Sequence, residues 1–453
     1  MKQVIKSICM FMLLLSLSVV LFGCQRHDIA SLPTMKPDSK PIVSGNVKFT
    51  CSISKLIEEE AADAFVAAFN EKYPDVNVTK DYNPGNVPAR IASGEIGDVF
   101  WFLEMETYNY AVTQKSLLPL NQFIDPLDVD TSEVYTGILA LGQVEGQLYM
   151  VPRDYTHIAM IYNKTALNAE NLEAPKNGWT WEEFKSYCTK LTKKSDGGNY
   201  TQVGGMLLYS SWDPVYISFL EGWGGKWYDT EEKRVMLTDE LVRKGIEELL
   251  TAADMGIIYP EGKSDMSEYA GMSDVNYVFR TMVYPDLVKM GQGYEDLDLE
   301  WDVVSWPKFP THKVGTGASG FGVYRYTKNP TAAAALALFF FDEAGQRAYH
   351  SCPGGSVPLV KALGNEGFWR YESSAGTEFD WSKKNYDSFI SFPEADTVGR
   401  VNCVMPAKVA ACITGGWGSI LGGYFNQGDY LNPLTKVEET ANQTWQRILN
   451  SLE

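Results

Sequence analysis

One stretch of this 453-residue chain matches the spacing of a nucleotide phosphate cradle: Gly315-Thr316-Gly317-Ala318-Ser319-Gly320 reads GxGxxG. Such a cradle works when a strand leads into the glycine turn and a helix N-terminus follows, aiming backbone N–H groups at phosphate. Here Phe321-Gly322-Val323-Tyr324-Arg325-Tyr326 follows and alternates like a strand, so the glycines read as local structure. The four histidines, His27, His157, His312 and His350, show no HxxxH spacing and no neighbouring cysteine cluster, and no metal site is expected. Neither a GxSxG nucleophile elbow nor a DxDxDG calcium loop occurs. A glycosidase needs two carboxylates flanking one bond, and among 57 acidic residues spacing marks out no such pair. The expectation is a protein without catalytic residues and without a cofactor.

What the composition supplies instead is aromatic surface. Trp, Tyr and Phe make up 13% of the chain, with 12 Trp and 25 Tyr. Sugar rings lay apolar C–H faces on flat aromatics, while their hydroxyls need carboxylate, amide or guanidinium partners at the edge. Most rings must still be core.

Lys2 and Lys6 precede an apolar run from Ile8 to Phe22 and then Gly23-Cys24, the order of an export signal. The run is about 15 residues, short of the ~20 that a spanning helix needs. Leu21-Phe22-Gly23-Cys24 resembles the bacterial lipobox, which implies lipidation of Cys24 and anchoring of the protein to a membrane by its acyl chains. Residues 1–23 are thus expected to be a signal peptide. Residues 24–45, polar and holding Pro33, Pro37 and Pro41, are expected to be a flexible tether. A formal charge of −18 argues against nucleic acid as a partner. About 430 remaining residues favour two domains. Five cysteines beyond Cys24 (Cys51, Cys188, Cys352, Cys403, Cys412) form no CxxC, and whether Cys403 pairs with Cys412 is left open.

The elements that would position a site follow an α/β pattern. Val47, Phe49, Cys51 and Ile53 alternate as a strand, and Ala61, Ala64, Phe65, Ala68 and Phe69 form one helical stripe. That helix must end before Pro74, where Val76-Asn77-Val78 begins a second strand, so the unit is a right-handed crossover. Ile96 to Phe102 reads as a buried strand. Thr180 with Glu183, and Thr435 with Glu438, read as capping boxes, and Pro330 opens an alanine-rich helix to about Ala348.

The order of motifs resembles the extracellular solute-binding proteins of ABC importers, family 1, in their maltose-binding-protein-like sugar branch. The run from Phe65 through Pro74 to Val76, Ser93-Gly94-Glu95-Ile96-Gly97-Asp98-Val99, and Leu117-Leu118-Pro119-Leu120 carry it first. Gly146 to Pro152, Tyr162-Asn163-Lys164, Gly178 to Phe184, Trp306-Pro307, Gly320 to Val323 and Gly354-Gly355-Ser356-Val357-Pro358 follow in order, so that residues 46–450 are covered. Phe279-Arg280-Thr281-Met282 departs from the family's Phe-x-x-Gly-Lys-x-Ala-Met.

The resemblance implies a two-lobe, periplasmic-binding-protein-like α/β fold with discontinuous lobes and a ligand cleft at the hinge. It implies an N-terminal lobe of 46–154 plus 308–352 and a C-terminal lobe of 155–307 plus 353–453. Crossings are expected near Asp154–His157, Trp306–Phe309 and Pro353. It also implies ligand-binding residues: Ser52 and Lys55 after the first strand; Phe102 and Glu104 past the third; Arg153, Asp154 and Tyr155 at the first crossing; Trp212, Asp213 and Tyr216; Tyr284; and Trp417 as a stacking ring. Arg153 and Asp154 could serve vicinal hydroxyls or form a hinge salt bridge; Asp98 reads as structural. The implied partners are a sugar or oligosaccharide, ABC permease subunits and, through Cys24, the membrane; the protein is expected to be a monomer. The implied location is the outer side of the cell membrane, or the periplasm in a two-membrane cell. The same fold with a non-sugar solute and a lipoprotein glycoside hydrolase are the alternatives.

Overall fold

The computed structural model describes residues 40–51, 56–154, 157–352, 356–370, 381–392, 397–399 and 405–451. The expected signal peptide and lipobox and most of the expected tether, with Ser52, Lys55, Tyr155 and Pro353, lie outside the described residues. Among those described, no helix is long and apolar enough to cross a membrane.

The first lobe opens with β1 (Gly45–Thr50), whose inward Val47 and Phe49 are buried. Helix α1 (Leu56–Lys72) stops short of Pro74 and delivers β2 (Val76–Asp81) parallel to β1, in register from Gly45↔Val76 to Thr50↔Asp81. Its buried stripe is Ala61, Ala62, Phe65, Val66 and Phe69, while Ala64 and Ala68 are half-buried. β3 (Val99–Leu103) flanks β1 on the other side, also parallel, and β4 (Val151–Pro152) ends the first pass. Asp98 ties these elements together, accepting the Lys48 N–H at 2.7 Å and the Thr327 hydroxyl at 2.6 Å.

The chain then builds a second sheet from β5 (Ala159–Asn163), β6 (Lys193–Lys194), β7 (Tyr200–Met206), β8 (Tyr277–Met282) and β9 (Trp301–Ser305), ordered β9-β5-β8-β7-β6. Helices α2 (Trp181–Leu191), α3 (Asp213–Gly222) and α4 (Glu240–Asp254) cover it. α2 begins with the expected capping box, in which the Thr180 side chain accepts the Glu183 N–H and Glu183 accepts the Thr180 N–H. After β10 (Val314–Gly315), β11 (Ser319–Val323) returns to complete the first sheet, β2-β1-β3-β11-β4.

The alanine-rich helix is two helices, not one. α5 (Pro330–Leu338) passes into a tight turn at Phe339–Phe341, and Asp342 then adopts extended backbone and accepts the Ala344 N–H at 2.9 Å, starting α6 (Glu343–His350). Beyond β12 (Thr397–Val398), α7 (Ala407–Gln427) and α8 (Leu431–Asn450) close the second lobe. Thr435 does not cap α8, which starts earlier: Asp429 accepts the N–H groups of Leu431 and Asn432, and Glu438 serves Thr238 instead.

The crossings orient both sheets. In the first, Leu103 pairs with Ser319, so the carboxyl ends of β1, β2 and β3 lie where β11 begins. In the second, Ala159 pairs with Met282 and with Ser305, and β7 runs parallel to β8. The carboxyl ends of β7, β8 and β9 therefore also face the crossings. Strand ends of this kind, with backbone groups unpaired and loops free to vary, are where α/β sheets take ligands.

Two expected lobe limits move. Trp306 and Phe309 are buried in the second lobe, with Phe309 4.8 Å from the Phe219 ring, and Thr311 donates its N–H to Gly222, so the second crossing falls at residues 316–318. Residues 356–363 stay with the first lobe, where Val360 bridges Val134 and Lys361 donates to the Glu133 carbonyl; residues 381–385 bond to β9 of the second.

Two of the GxGxxG glycines, Gly315 and Gly320, are explained by packing. A Cβ at Gly315 would lie 1.9 Å from the Pro214 oxygen, and one at Gly320 would lie 2.2 Å from that of Val151; a strand, not a helix, follows. Gly315→Ala should cost about 3 kcal/mol, as overpacking does. The measurement is the urea midpoint at constant m-value, and an unshifted midpoint would show that the crossing yields without strain.

Candidate functional site

On the first lobe, Glu104 follows directly from β3 and its N–H donates to Ala318 at 3.1 Å, which sets it beside the second crossing with its side chain buried. Alternation along β3 sends its neighbours opposite ways. Phe102 packs inward, 5.3 Å from the Tyr110 ring and under Gly322, where a Cβ would meet it at 2.7 Å. Leu103 is exposed at the rim.

Arg153 and Asp154 form an ion pair, Nε to Oδ2 3.0 Å, with both side chains largely buried. Arg153 is docked on α6: its Nη1 donates to the Tyr349 hydroxyl at 3.0 Å, and its carbonyl accepts from Gln346 Nε2 and His350 Nε2 at 3.1 and 3.2 Å. Breaking such a pair by removing one partner strands a buried charge, so the geometry holds the crossing in one arrangement.

On the second lobe, residues 207–213 turn from β7 into α3. Leu208 has φ +63°, a left-handed backbone that costs a branched residue on the order of 1–2 kcal/mol. The turn is held from several sides: Trp212 N–H donates to Leu208 (3.0 Å), Trp417 Nε1 to the Tyr209 carbonyl (2.7 Å), the Tyr209 hydroxyl to the Tyr259 carbonyl (3.1 Å), and Ser210 N–H to Glu261 Oε2 (2.5 Å). Asp213 and Pro214 fill the first turn of α3, where a carboxylate is favoured by the helix dipole. Tyr216 and Trp417 stack at 4.6 Å and 24°, both buried.

The residues expected from the sequence therefore fall into three groups. Trp212, Asp213, Tyr216 and Trp417 gather around the head of α3, with Trp212 and Asp213 partly exposed and the Tyr216–Trp417 stack buried. Glu104, Arg153 and Asp154 gather at the crossings. Tyr284, which follows β8 at the same sheet end, is buried, donates to the Trp369 carbonyl at 2.5 Å and packs its ring near Trp369 and Phe389. Sequence reasoning missed Tyr209, Glu261 and Trp369; nothing periodic marks them, because their partners lie 50 to 208 residues away. A cavity of about 420 Å³ beside Tyr73 and Phe339 and a groove of about 710 Å³ along α7 and α8 share none of the expected residues. Among the described residues no group of three His, Cys, Asp or Glu is placed to hold a metal.

Two α/β lobes, each discontinuous in sequence and facing each other by the carboxyl ends of their sheets, define the periplasmic-binding-protein-like class. The family model for bacterial extracellular solute-binding proteins matches residues 54–347, and the chain belongs to that family, whose general role is solute binding. No curated protein matches the chain. Among solved structures, a sugar-binding protein of Xanthomonas citri aligns with TM-score 0.71 at 14% identity, over 90% of this chain and 100% of its own. A cyclic α-maltosyl-1,6-maltose-binding protein of Arthrobacter globiformis gives 0.68 at 16%, over 89% and 100%. An ABC substrate-binding protein of Listeria monocytogenes, in complex with cycloalternan, gives 0.67 at 16%, over 88% and 99%.

Two histidines add a pH dependence at the crossings. Burial pushes His157 down to about 4 and His350 down to about 3, from an ordinary value of 6.5. The unfolded chain binds these protons first, so the stability contributed is complete above about pH 6.5 and falls as pH drops toward 4. His157 alone accounts for on the order of 3 kcal/mol at about 1.4 kcal/mol per unit. Unfolding free energies between pH 7 and 4.5 should decline in the wild type and decline less in His157→Gln; parallel profiles would rule the assignment out.

Proposed function

We propose that this protein is the solute-binding component of an ABC importer, that its solute is a sugar or oligosaccharide, and that it performs no chemistry on it. The observation carrying this reading is the partly exposed Trp212 and Asp213 at the head of α3, the helix whose Tyr216 stacks on Trp417, set at sheet ends that face the Arg153–Asp154 crossing. A ring with a carboxylate at its edge suits a molecule with apolar faces and a hydroxyl rim. Sugar ligands in structurally similar proteins support the same class. Solute bound to one lobe favours closure only through contacts that exist when the lobes meet, and the closed form then docks on the permease.

A thermal-shift panel of glucose, maltose, maltotriose and larger glycans tests it directly. At about 100 times the dissociation constant a binder adds ~2.7 kcal/mol to the folded state. Trp212→Ala should weaken that glycan about tenfold, equivalent to 1.4 kcal/mol. No shift with any glycan, or release of chromophore from a nitrophenyl glycoside by the purified protein, would overturn the reading.

We also propose lipidation at Cys24, with the body held on the outer face of the membrane, since the lipobox order ends at that residue. Labelled palmitate should enter the wild type and not Cys24→Ser, and the variant should leave the membrane fraction. Equal labelling would sink the assignment.

A further inference from the structure

One buried carboxylate beside the cleft has no part in the solute contacts proposed above. Glu261 is buried, 8% exposed. Its Oε2 accepts the Ser210 N–H at 2.5 Å, while Oε1 is buried with no hydrogen-bond partner among the described residues. Burial lifts its pKa, and the Ser210 hydroxyl with the N–H groups of Ser210 and Leu208 pulls the other way. A buried charge of this kind is costly, and an apolar side chain would avoid the cost.

What the carboxylate touches is the left-handed turn. Leu208 holds φ +63°, which neither glycine nor asparagine is there to ease, and Ser210 two residues on is the group that Glu261 fixes. The segment carrying Glu261 is itself anchored on both sides. Tyr259 donates its N–H to Gly205 of β7 at 2.8 Å; Ser264 donates to Asn426 Oδ1 of α7 at 3.0 Å, and Asn426 Nδ2 donates to the Gly262 carbonyl at 3.2 Å. The clamp thus runs from two rigid elements into a strained turn, and the turn ends in Trp212 and Asp213. Sites held within a fraction of an ångström need this kind of support.

We infer that Glu261 is a positioning residue: its carboxylate holds the Leu208 turn in the conformation that presents Trp212 and Asp213 to the solute, without touching the solute itself. The inference rests on the cleft reading above, and its test separates the two.

Hydrogen exchange of residues 207–213 is measured on the unliganded full chain, and affinity is measured by calorimetry with maltotriose or the panel glycan giving the larger thermal shift. Glu261→Ala should speed exchange in the turn about tenfold and weaken binding about tenfold. Glu261→Gln, whose amide oxygen still accepts from Ser210, should keep the turn protected and most of the affinity. Adding Leu208→Gly to Glu261→Ala removes the strain and should return affinity to within about threefold. Unchanged exchange in Glu261→Ala overturns the clamp. Lost affinity with the turn still protected overturns positioning, because the carboxylate would then meet the solute. A wild type that binds no glycan, beside a loosened turn in Glu261→Ala, refutes the sugar assignment while the clamp stands.

Discussion

The structure depends on two chain crossings that run side by side. Arg153 donates its N–H to Ser319, Ile158 donates to Gly315, and His157 bridges Thr316 antiparallel, so these two crossings pair as a short two-stranded ladder. A ladder of this kind resists sliding, because a one-residue slip would exchange every inward side chain for an outward one. Twisting about the strand axis preserves the same bonds. Gly315 lets this ladder seat directly against Pro214 at the head of α3, so the helix that follows the Leu208 turn is packed on the crossing itself. The position of Trp212 and Asp213 is in this way tied to the hinge.

Polar side chains are buried around that ladder at some cost. The Arg153–Asp154 pair gives little net stability, since desolvation offsets most of the attraction. Its hydrogen bonds to Tyr349, Gln346 and His350 fix which way the crossing leaves the first lobe. His350 can accompany this pair only as a neutral ring, and burial beside Arg153 enforces that. Specific geometry at the hinge is the gain.

Much of the fold was legible because local patterns agreed with tertiary demands. The alternation of β1, the stripe of α1 ending before Pro74, and the Thr180 capping box each need only neighbours in sequence. The failures share one cause: a distant partner outbid a local signal. Thr435 and Glu438 spell a capping box, but Glu438 is engaged by Thr238 and the helix begins at Leu431. Trp306 and Phe309 lie where the family resemblance put a crossing, yet the second lobe buries both. The candidate rings divide in the same manner. Nothing in the sequence separates Trp212, which stays partly exposed, from Trp417, whose N–H is taken by Tyr209 and whose ring is covered by Tyr216.

That division between partly exposed and buried rings bears on how a small solute could move two lobes. To shift a 1:99 equilibrium to 99:1 requires about 5.5 kcal/mol of differential affinity. A hydrogen bond to a charged group contributes roughly 1.5–3 kcal/mol net. Two to four contacts with the facing lobe would therefore suffice, provided none of their energy is spent ordering the first lobe engaged. The Tyr216–Trp417 stack and the fixed Leu208 turn meet that condition for the second lobe, because the turn that carries Trp212 and Asp213 is already held without solute. On the proposed reading, solute would bind this prepared face first, and the contacts that drive closure would come from the carboxyl ends of β1 and β3 and from the Arg153–Asp154 crossing.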